Sequence, residues 1–186
     1  MRILRHICKY AVAVLYLTIG ISLSVAAQDV DIEQLLTELA NPETRNWQSV
    51  ERQIRREWSK SGSASMDLLL KRGEDALEAE EYDVALEHLT ALTDHAPDFA
   101  EGWNARATAL FQLGLYGPAM QDIRRVLALN PRHFDAMTGL AVILQSTGLE
   151  TDALDVWYRV KAVNPHRPEL QEAIEGLEKV LRGETL

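Results

Sequence analysis

The chain has 186 residues, of which 47% are hydrophobic and 25% are charged, and its formal net charge is −9. This composition is ordinary for a soluble fold and excludes a chain that is disordered throughout. The acidic excess argues against binding to nucleic acid or to an anionic lipid surface, because both carry the same sign of charge.

The first 27 residues differ from the rest of the chain. Three Lys or Arg residues precede an uncharged run, 10–28, in which Val25 and Ala27 are small side chains two positions apart. This pattern predicts a secretory signal peptide, 1–27, that is cleaved after Ala27. The alternative is an uncleaved membrane anchor, since the run is near the minimum span of ~17 residues. Cleavage predicts a periplasmic or secreted protein without membrane insertion, whereas the alternative predicts anchoring in the inner membrane.

The only cysteine, Cys8, lies within the predicted signal peptide. The cleaved protein therefore has no disulfide and no thiol chemistry, and packing alone must stabilise it. Cleavage also removes three basic and no acidic residues, which changes the formal net charge from −9 to −12.

Residues 28–65 predict an N-terminal helical hairpin followed by a short linker. In residues 29–40, apolar side chains recur three and four positions apart behind Asp31, which can cap a helix. Residues 43–60 carry a second apolar stripe, formed by Trp47, Val50, Ile54 and Trp58. Because the hairpin lacks the landmarks of the repeats that follow it, we expect it to cap the first face of the repeat array.

The second helix of this hairpin is basic in an otherwise acidic chain. Five basic residues lie off its apolar stripe: Arg45, Arg52, Arg55, Arg56 and Lys60. They predict a solvated face, partly balanced by Glu51 and Glu57. The alternative is a contact with an acidic partner or with an acidic groove in a second copy of the chain. The serine-rich linker at 59–65 predicts a turn rather than a domain boundary.

Residues 66–167 repeat with a period of 34. The period relates prolines, alanines and glycines: Pro97, Pro131 and Pro165; Ala85, Ala119 and Ala153; Gly114 and Gly148. Each period holds two helix-length apolar patterns and ends at a proline, because the residue before proline disfavours the helical conformation. We therefore predict three stacked helix pairs, at 66–99, 100–133 and 134–167. Residues 168–186 predict a C-terminal capping helix and tail.

The landmarks of the middle unit resemble those of the tetratricopeptide repeat (TPR) family: Trp103, Gly114, Tyr116, Ala119 and Pro131. The resemblance implies an all-α fold, an α-solenoid of three TPR helix pairs with the N-terminal hairpin and the C-terminal capping helix. The whole looks like small exported bacterial members of the family. Arg72 and Arg106 depart from the pattern, since the family has apolar residues there, and Glu80 replaces the turn glycine.

In this family the first helices of the units line a concave groove that holds a segment of another protein. By resemblance, the partner-binding residues here are Asp67, Lys71, Glu74, Glu101, Asn104, Thr108, Phe111, Gln112, Asp135, Thr138 and Gln145. Asn104 can orient a peptide backbone or be merely solvated, and Phe111 can line the groove or the core. The lining is mostly acidic and polar, so we expect a neutral or basic partner segment.

Some chaperone-binding TPR proteins hold a terminal carboxylate with lysine, arginine and asparagine on these first helices. The matching positions here are Leu70, Glu74, Ala105, Asp135 and Gly139, so this clamp is absent.

The sequence has no glycine-rich phosphate loop, no serine elbow and no metal-ligand spacing. We therefore expect no catalytic, cofactor-binding or metal-binding residue, and no enzyme. The sequence favours a protein-binding adaptor or scaffold of the bacterial cell envelope that holds a protein or peptide segment in the groove. The alternative is a self-assembling structural protein, a homo-oligomer in which the basic N-terminal helix meets the acidic groove of another copy.

Overall fold

The computed structural model describes residues 31–183. Within that range it contains no strand and nine helices: α1 (Ile32–Ala40), α2 (Trp47–Trp58), α3 (Ala64–Glu78), α4 (Tyr82–His95), α5 (Ala100–Gln112), α6 (Tyr116–Leu129), α7 (Phe134–Ser146), α8 (Glu150–Val163) and α9 (Leu170–Leu181). No helix in the described range is long and apolar enough to cross a membrane. The predicted signal peptide lies outside the described residues.

The helix pairs α3–α4, α5–α6 and α7–α8 are the three predicted TPR units, and adjacent helices pack against each other. The recurrent alanines Ala85, Ala119 and Ala153 are fully buried. Because their side chains are small, the second helix of each pair can approach its neighbours closely. The all-α solenoid expected from the sequence is confirmed.

The turn inside each helix pair needs one residue in the left-handed region. Gly114 and Gly148 occupy it in the second and third pairs, with φ of 73° and 75°. Glu80 occupies it in the first pair, with φ of 59°. A side chain in this conformation costs roughly 1–2 kcal/mol, so the first turn keeps the geometry of the others at an energetic cost.

Arg106 departs from the family pattern because it forms a partly buried ion pair. Its guanidinium donates to both carboxylate oxygens of Asp122, at 2.7 and 2.8 Å, and to the hydroxyl of Thr93 at 2.9 Å. It also lies 4.6 Å from the centre of the Trp103 ring. Asp122 is 4% exposed. This pair therefore connects α4, α5 and α6, and removing either partner would leave a buried charge unpaired.

The C-terminal helix α9 covers the last unit. Leu170, Ile174 and Leu177 are buried in one cluster with residues of α7 and α8. The predicted capping helix is confirmed.

The N-terminal hairpin does not cap the first face of the array, so this prediction is wrong. Asp31 does cap α1, accepting the backbone N–H groups of Glu33 and Gln34. The apolar stripes of α1 and α2, however, pack against the third unit, in a cluster with Phe134 and Val163. A hairpin stripe of this kind requires an apolar partner surface, and Phe134 at the start of α7 provides it.

Two helix-interior glycines give a matched test of the packing. A methyl group at Gly73 would lie 2.5 Å from the side chain of the fully buried Leu89, whereas one at Gly176 would meet nothing within 4 Å. Gly176→Ala should raise the free energy of unfolding by about 0.5–1 kcal/mol, because alanine favours the helix. Gly73→Ala gains the same propensity but overpacks the core, and should lower it by roughly 1–2 kcal/mol. Urea denaturation checks both values, and equal effects would contradict the tight approach at Gly73.

Candidate functional site

The groove is the surface formed by α3, α5 and α7, the first helices of the three units. A cavity of about 200 Å³ lies in the groove between α5 and α7, and we call it the pocket. Its lining consists of Asn104, Ala107, Thr108, Phe111, Ile123, Asp135, Ala136, Gly139, Val142 and Ile143.

The pocket has an apolar floor and a polar rim. Ile123, Ala136 and Ile143 are at most 3% exposed and form part of the floor. Phe111 is half-buried and packs against Tyr116, with 5.4 Å between the ring centres, so it belongs to both the core and the pocket. Gly139 contributes no side chain, which leaves the floor open at that point.

Four of the predicted groove residues come together at the pocket, namely Asn104, Thr108, Phe111 and Asp135. Sequence reasoning missed the buried floor. Buried alanines and isoleucines carry the same signal in a sequence whether they fill a core or line a cavity. Glycines inside the first helices do not identify the pocket either, because Leu89 packs closely on Gly73 whereas Gly139 lines the pocket.

Other predicted groove residues are engaged elsewhere. Asp67 accepts hydrogen bonds from the backbone and hydroxyl of Ser61, which hold the linker and lower the pKa of the Asp67 carboxyl. Lys71 pairs with Asp75 at 2.8 Å. The hydroxyl of Thr138 donates to the carbonyl of Phe134.

Two further predicted groove residues are exposed and lie outside the pocket. Gln112 ends α5, and Gln145 borders a separate depression beside α9.

Glu101 is held inside the protein. Its carboxylate accepts a hydrogen bond from Asn104 at 2.8 Å and lies 3.0 Å from Nε2 of the fully buried His133. Because Nδ1 of His133 accepts the backbone N–H of Ala136, Nε2 is the nitrogen that donates to Glu101. Burial alone raises the pKa of Glu101, but these hydrogen bonds and the nearby charge of Arg55 together lower it.

Asp135 joins the hairpin to the third unit. One of its carboxylate oxygens accepts from Arg55 of α2 at 2.8 Å and from Arg167, in the turn before α9, at 2.7 Å. Both guanidinium groups also lie within 6 Å of the centre of the Phe134 ring. Arg55 is one of the five basic residues expected to be solvated or to meet another molecule, and it contacts the groove of its own chain.

The rest of the hairpin contact lies over the turns that precede α7 and α9. Trp58 stacks on His133 with 4.4 Å between the ring centres, and Trp47 stacks on His166 at 5.3 Å. The fully buried Asn164 donates to Glu51 at 2.9 Å. The two histidines are therefore packed under tryptophans, and no cluster of metal-ligand type occurs among the residues that the structure describes.

Glu74 differs from the other acidic residues of the groove. Its side chain is half-buried on α3, and it has no hydrogen bond or ion pair within the described part of the chain. Burial raises the pKa of Glu74, and the negative charges of Glu101, Asp75 and Glu78 raise it further, whereas the charge of Lys71 lowers it. The nearest cation, Lys71, forms its ion pair with Asp75, so the carboxylate of Glu74 has no direct contact with a cation in the described part of the chain.

The chain is similar in sequence to TPR proteins. The model of the tetratricopeptide repeat family matches residues 70–125. A TPR repeat-containing protein of Rhizobium etli is 38% identical over 135 residues, which cover 73% of this chain and 66% of that protein. The chain therefore spans just under two thirds of that relative.

Solved TPR domains have a similar fold. The first TPR of Spaghetti (RPAP3), bound to an HSP90 peptide, has a TM-score of 0.61 at 21% identity, with 63% of this chain and 93% of that chain covered. The TPR2B domain of yeast Sti1, in a complex with pHsp70, has a TM-score of 0.58 at 18% identity, with 66% and 100% covered.

The fold and the groove define a helical-repeat solenoid with an open pocket between the first helices of two units. Together with the match to the family model and to the relative from Rhizobium etli, they show that the chain belongs to the tetratricopeptide repeat family. This family and this fold are in general non-catalytic modules of protein interaction.

Acid should weaken the structure through Glu101. Its folded-state pKa lies below the ordinary value of 4.5, so its carboxylate contributes stability above that value and loses the contribution as the pH falls through the folded-state pKa. We expect the free energy of unfolding to fall on acidification, and Glu101→Gln to be less stable at neutral pH but less sensitive to acid. Urea denaturation between about pH 7 and pH 3 checks this, with the exposed Glu87→Gln as the control. Parallel curves for Glu101→Gln and the unchanged protein would contradict it.

Proposed function

We propose that this protein is a non-catalytic adaptor or scaffold, which holds a segment of a partner protein in the groove of α3, α5 and α7. The open pocket of about 200 Å³ carries the proposal. Small-molecule sites usually measure about 300–1,000 Å³, so a pocket of this size favours one side chain of a larger partner over a free small ligand. On its rim, Asn104 donates to Glu101 and the hydroxyl of Thr108 donates to the backbone carbonyl of Asn104. The side-chain oxygens of both residues can still accept hydrogen bonds from the backbone of that partner.

Two of the similar structures support binding of this class. The TPR domains of RPAP3 and yeast Sti1 were solved with an HSP90 peptide and with pHsp70. Their identity to this chain is 21% and 18%, so they support a peptide segment as the type of ligand and say nothing of its sequence.

We propose a neutral or basic partner segment. The only cation among the predicted groove residues, Lys71, is paired with Asp75. The chain also has a formal net charge of −9, which repels acidic segments at a distance. Self-assembly through the basic helix is the weaker proposal, because Arg55 already pairs with Asp135 of the same chain.

We propose the bacterial cell envelope as the location, because residues 1–27 have the pattern of a signal peptide. Cleavage predicts a mature protein that begins at Gln28. Mass spectrometry of the protein purified from the envelope fraction tests this, and an intact N-terminus in the membrane fraction would favour an uncleaved anchor.

Substitution at the pocket rim tests the groove. Glu101 and Asp135 are unsuitable, since each accepts hydrogen bonds that join parts of the protein. Thr108 is exposed and lies on the rim, so Thr108→Arg should block the pocket with a long cation and leave the fold intact. Cross-linking in the envelope fraction followed by mass spectrometry should recover partner proteins with the unchanged chain, and at least about tenfold less of them with Thr108→Arg.

The matched control is Gln121→Arg, which makes the same change of charge at an exposed position on α6. It should capture the same partners as the unchanged chain, with unaltered helical circular dichroism in all variants. Equal capture by Thr108→Arg would exclude the pocket as the binding site.

A further inference from the structure

The chemistry of the groove restricts the partner segment further, provided that the proposed function is correct. The pocket has an apolar floor between α5 and α7, and its interior offers no charged group except Asp135 at the edge. Asp135 is already shared between Arg55 and Arg167. A charged side chain would lose its hydration in the pocket without finding a partner there. An aliphatic or aromatic side chain fits this pocket.

The α3 side of the same groove, in contrast to the pocket, favours a positively charged side chain of the partner. Asn104 lines the pocket and donates to Glu101, and both residues lie on α5. Glu74 lies on α3, which packs against α5. Glu101 has its hydrogen-bond partners, whereas Glu74 has no hydrogen bond or ion pair in the described range. The nearby Lys71 is itself paired with Asp75. A half-buried carboxylate without a partner is stabilised by an incoming lysine or arginine.

We propose that the groove recognises a segment with two features, an aliphatic or aromatic residue that enters the pocket and a lysine or arginine that pairs with Glu74. The axes of packed helices lie roughly 8–10 Å apart, so α3 and the gap between α5 and α7 are about 12–15 Å apart. An extended chain rises about 3.3 Å per residue. The two features of the partner are therefore about four residues apart.

A substitution at Gly139 can fill the pocket. A methyl group at Gly139 would lie 3.6 Å from the side chain of Ile123, which is ordinary van der Waals contact. Both residues line the pocket, so Gly139→Leu directs a side chain into it, and leucine favours a helix more than glycine does. Gly139→Ala, which adds one methyl group, serves if the leucine variant fails to fold.

The experiment is a selection of randomised twelve-residue peptides, displayed on phage, against the full chain. The expected peptides contain an aliphatic or aromatic residue three to five positions from a lysine or arginine. Their affinities are then measured by fluorescence anisotropy, together with versions in which the basic residue is replaced by glutamine. Glu74→Gln should weaken the basic peptides about tenfold and leave the glutamine versions unchanged. Glu87→Gln removes one charge from the exposed surface of α4 and should have no such selective effect.

The outcomes separate this inference from the proposed function. Peptides that lose binding to Gly139→Leu but bind Glu74→Gln normally would overturn the pairing with Glu74 and keep the groove as the peptide site. If neither Gly139→Leu nor Thr108→Arg weakens the binding of any selected peptide, both this inference and the proposed function are overturned.

Discussion

The contact of the N-terminal hairpin with Phe134 is the interaction on which the rest of the arrangement depends. Phe134 is fully buried, and four apolar residues of the hairpin are at most 3% exposed in the same cluster. Each such side chain contributes roughly 1.5–3 kcal/mol through burial, which is large compared with a total stability of about 5–15 kcal/mol. The hairpin is therefore an integral part of the fold and not a movable lid. It connects the start of the described chain with the last repeat unit.

This contact determines which charges of the groove remain available. Arg55 and Arg167 neutralise Asp135, and His133, stacked under Trp58, donates to Glu101. Where α7 begins, the groove is thus nearly neutral and held by buried contacts. In the proposed function, an apolar pocket and the carboxylate of Glu74 therefore remain for the partner. The residue composition of the groove is mostly acidic and polar. In the folded protein, however, the groove has separate apolar and negative sites.

Two polar networks stabilise the solenoid in different ways. Arg106, Asp122 and Thr93 connect three consecutive helices, so their hydrogen bonds fix how neighbouring units pack. The second network is the hydrogen bond from Asn164 to Glu51. It provides the buried amide of Asn164, in the turn after α8, with an acceptor on the hairpin. The equivalent asparagine of the preceding turn, Asn130, is only partly buried and has no such partner from the hairpin.

The sequence by itself determined the repeat units, because they depend on contacts between residues close in the chain. The spacing of Pro131, Ala119 and Gly114 repeats every 34 residues, and each acts on its own helix or turn. Only the tertiary structure determined which surface the hairpin packs against and where the pocket lies. Arg55 and Asp135 are 80 residues apart, and Glu51 and Asn164 are 113 apart. A repeat period in the sequence cannot predict pairs that are so far apart in the chain. An apolar stripe likewise predicts that a helix face is buried, but it does not predict which surface buries it.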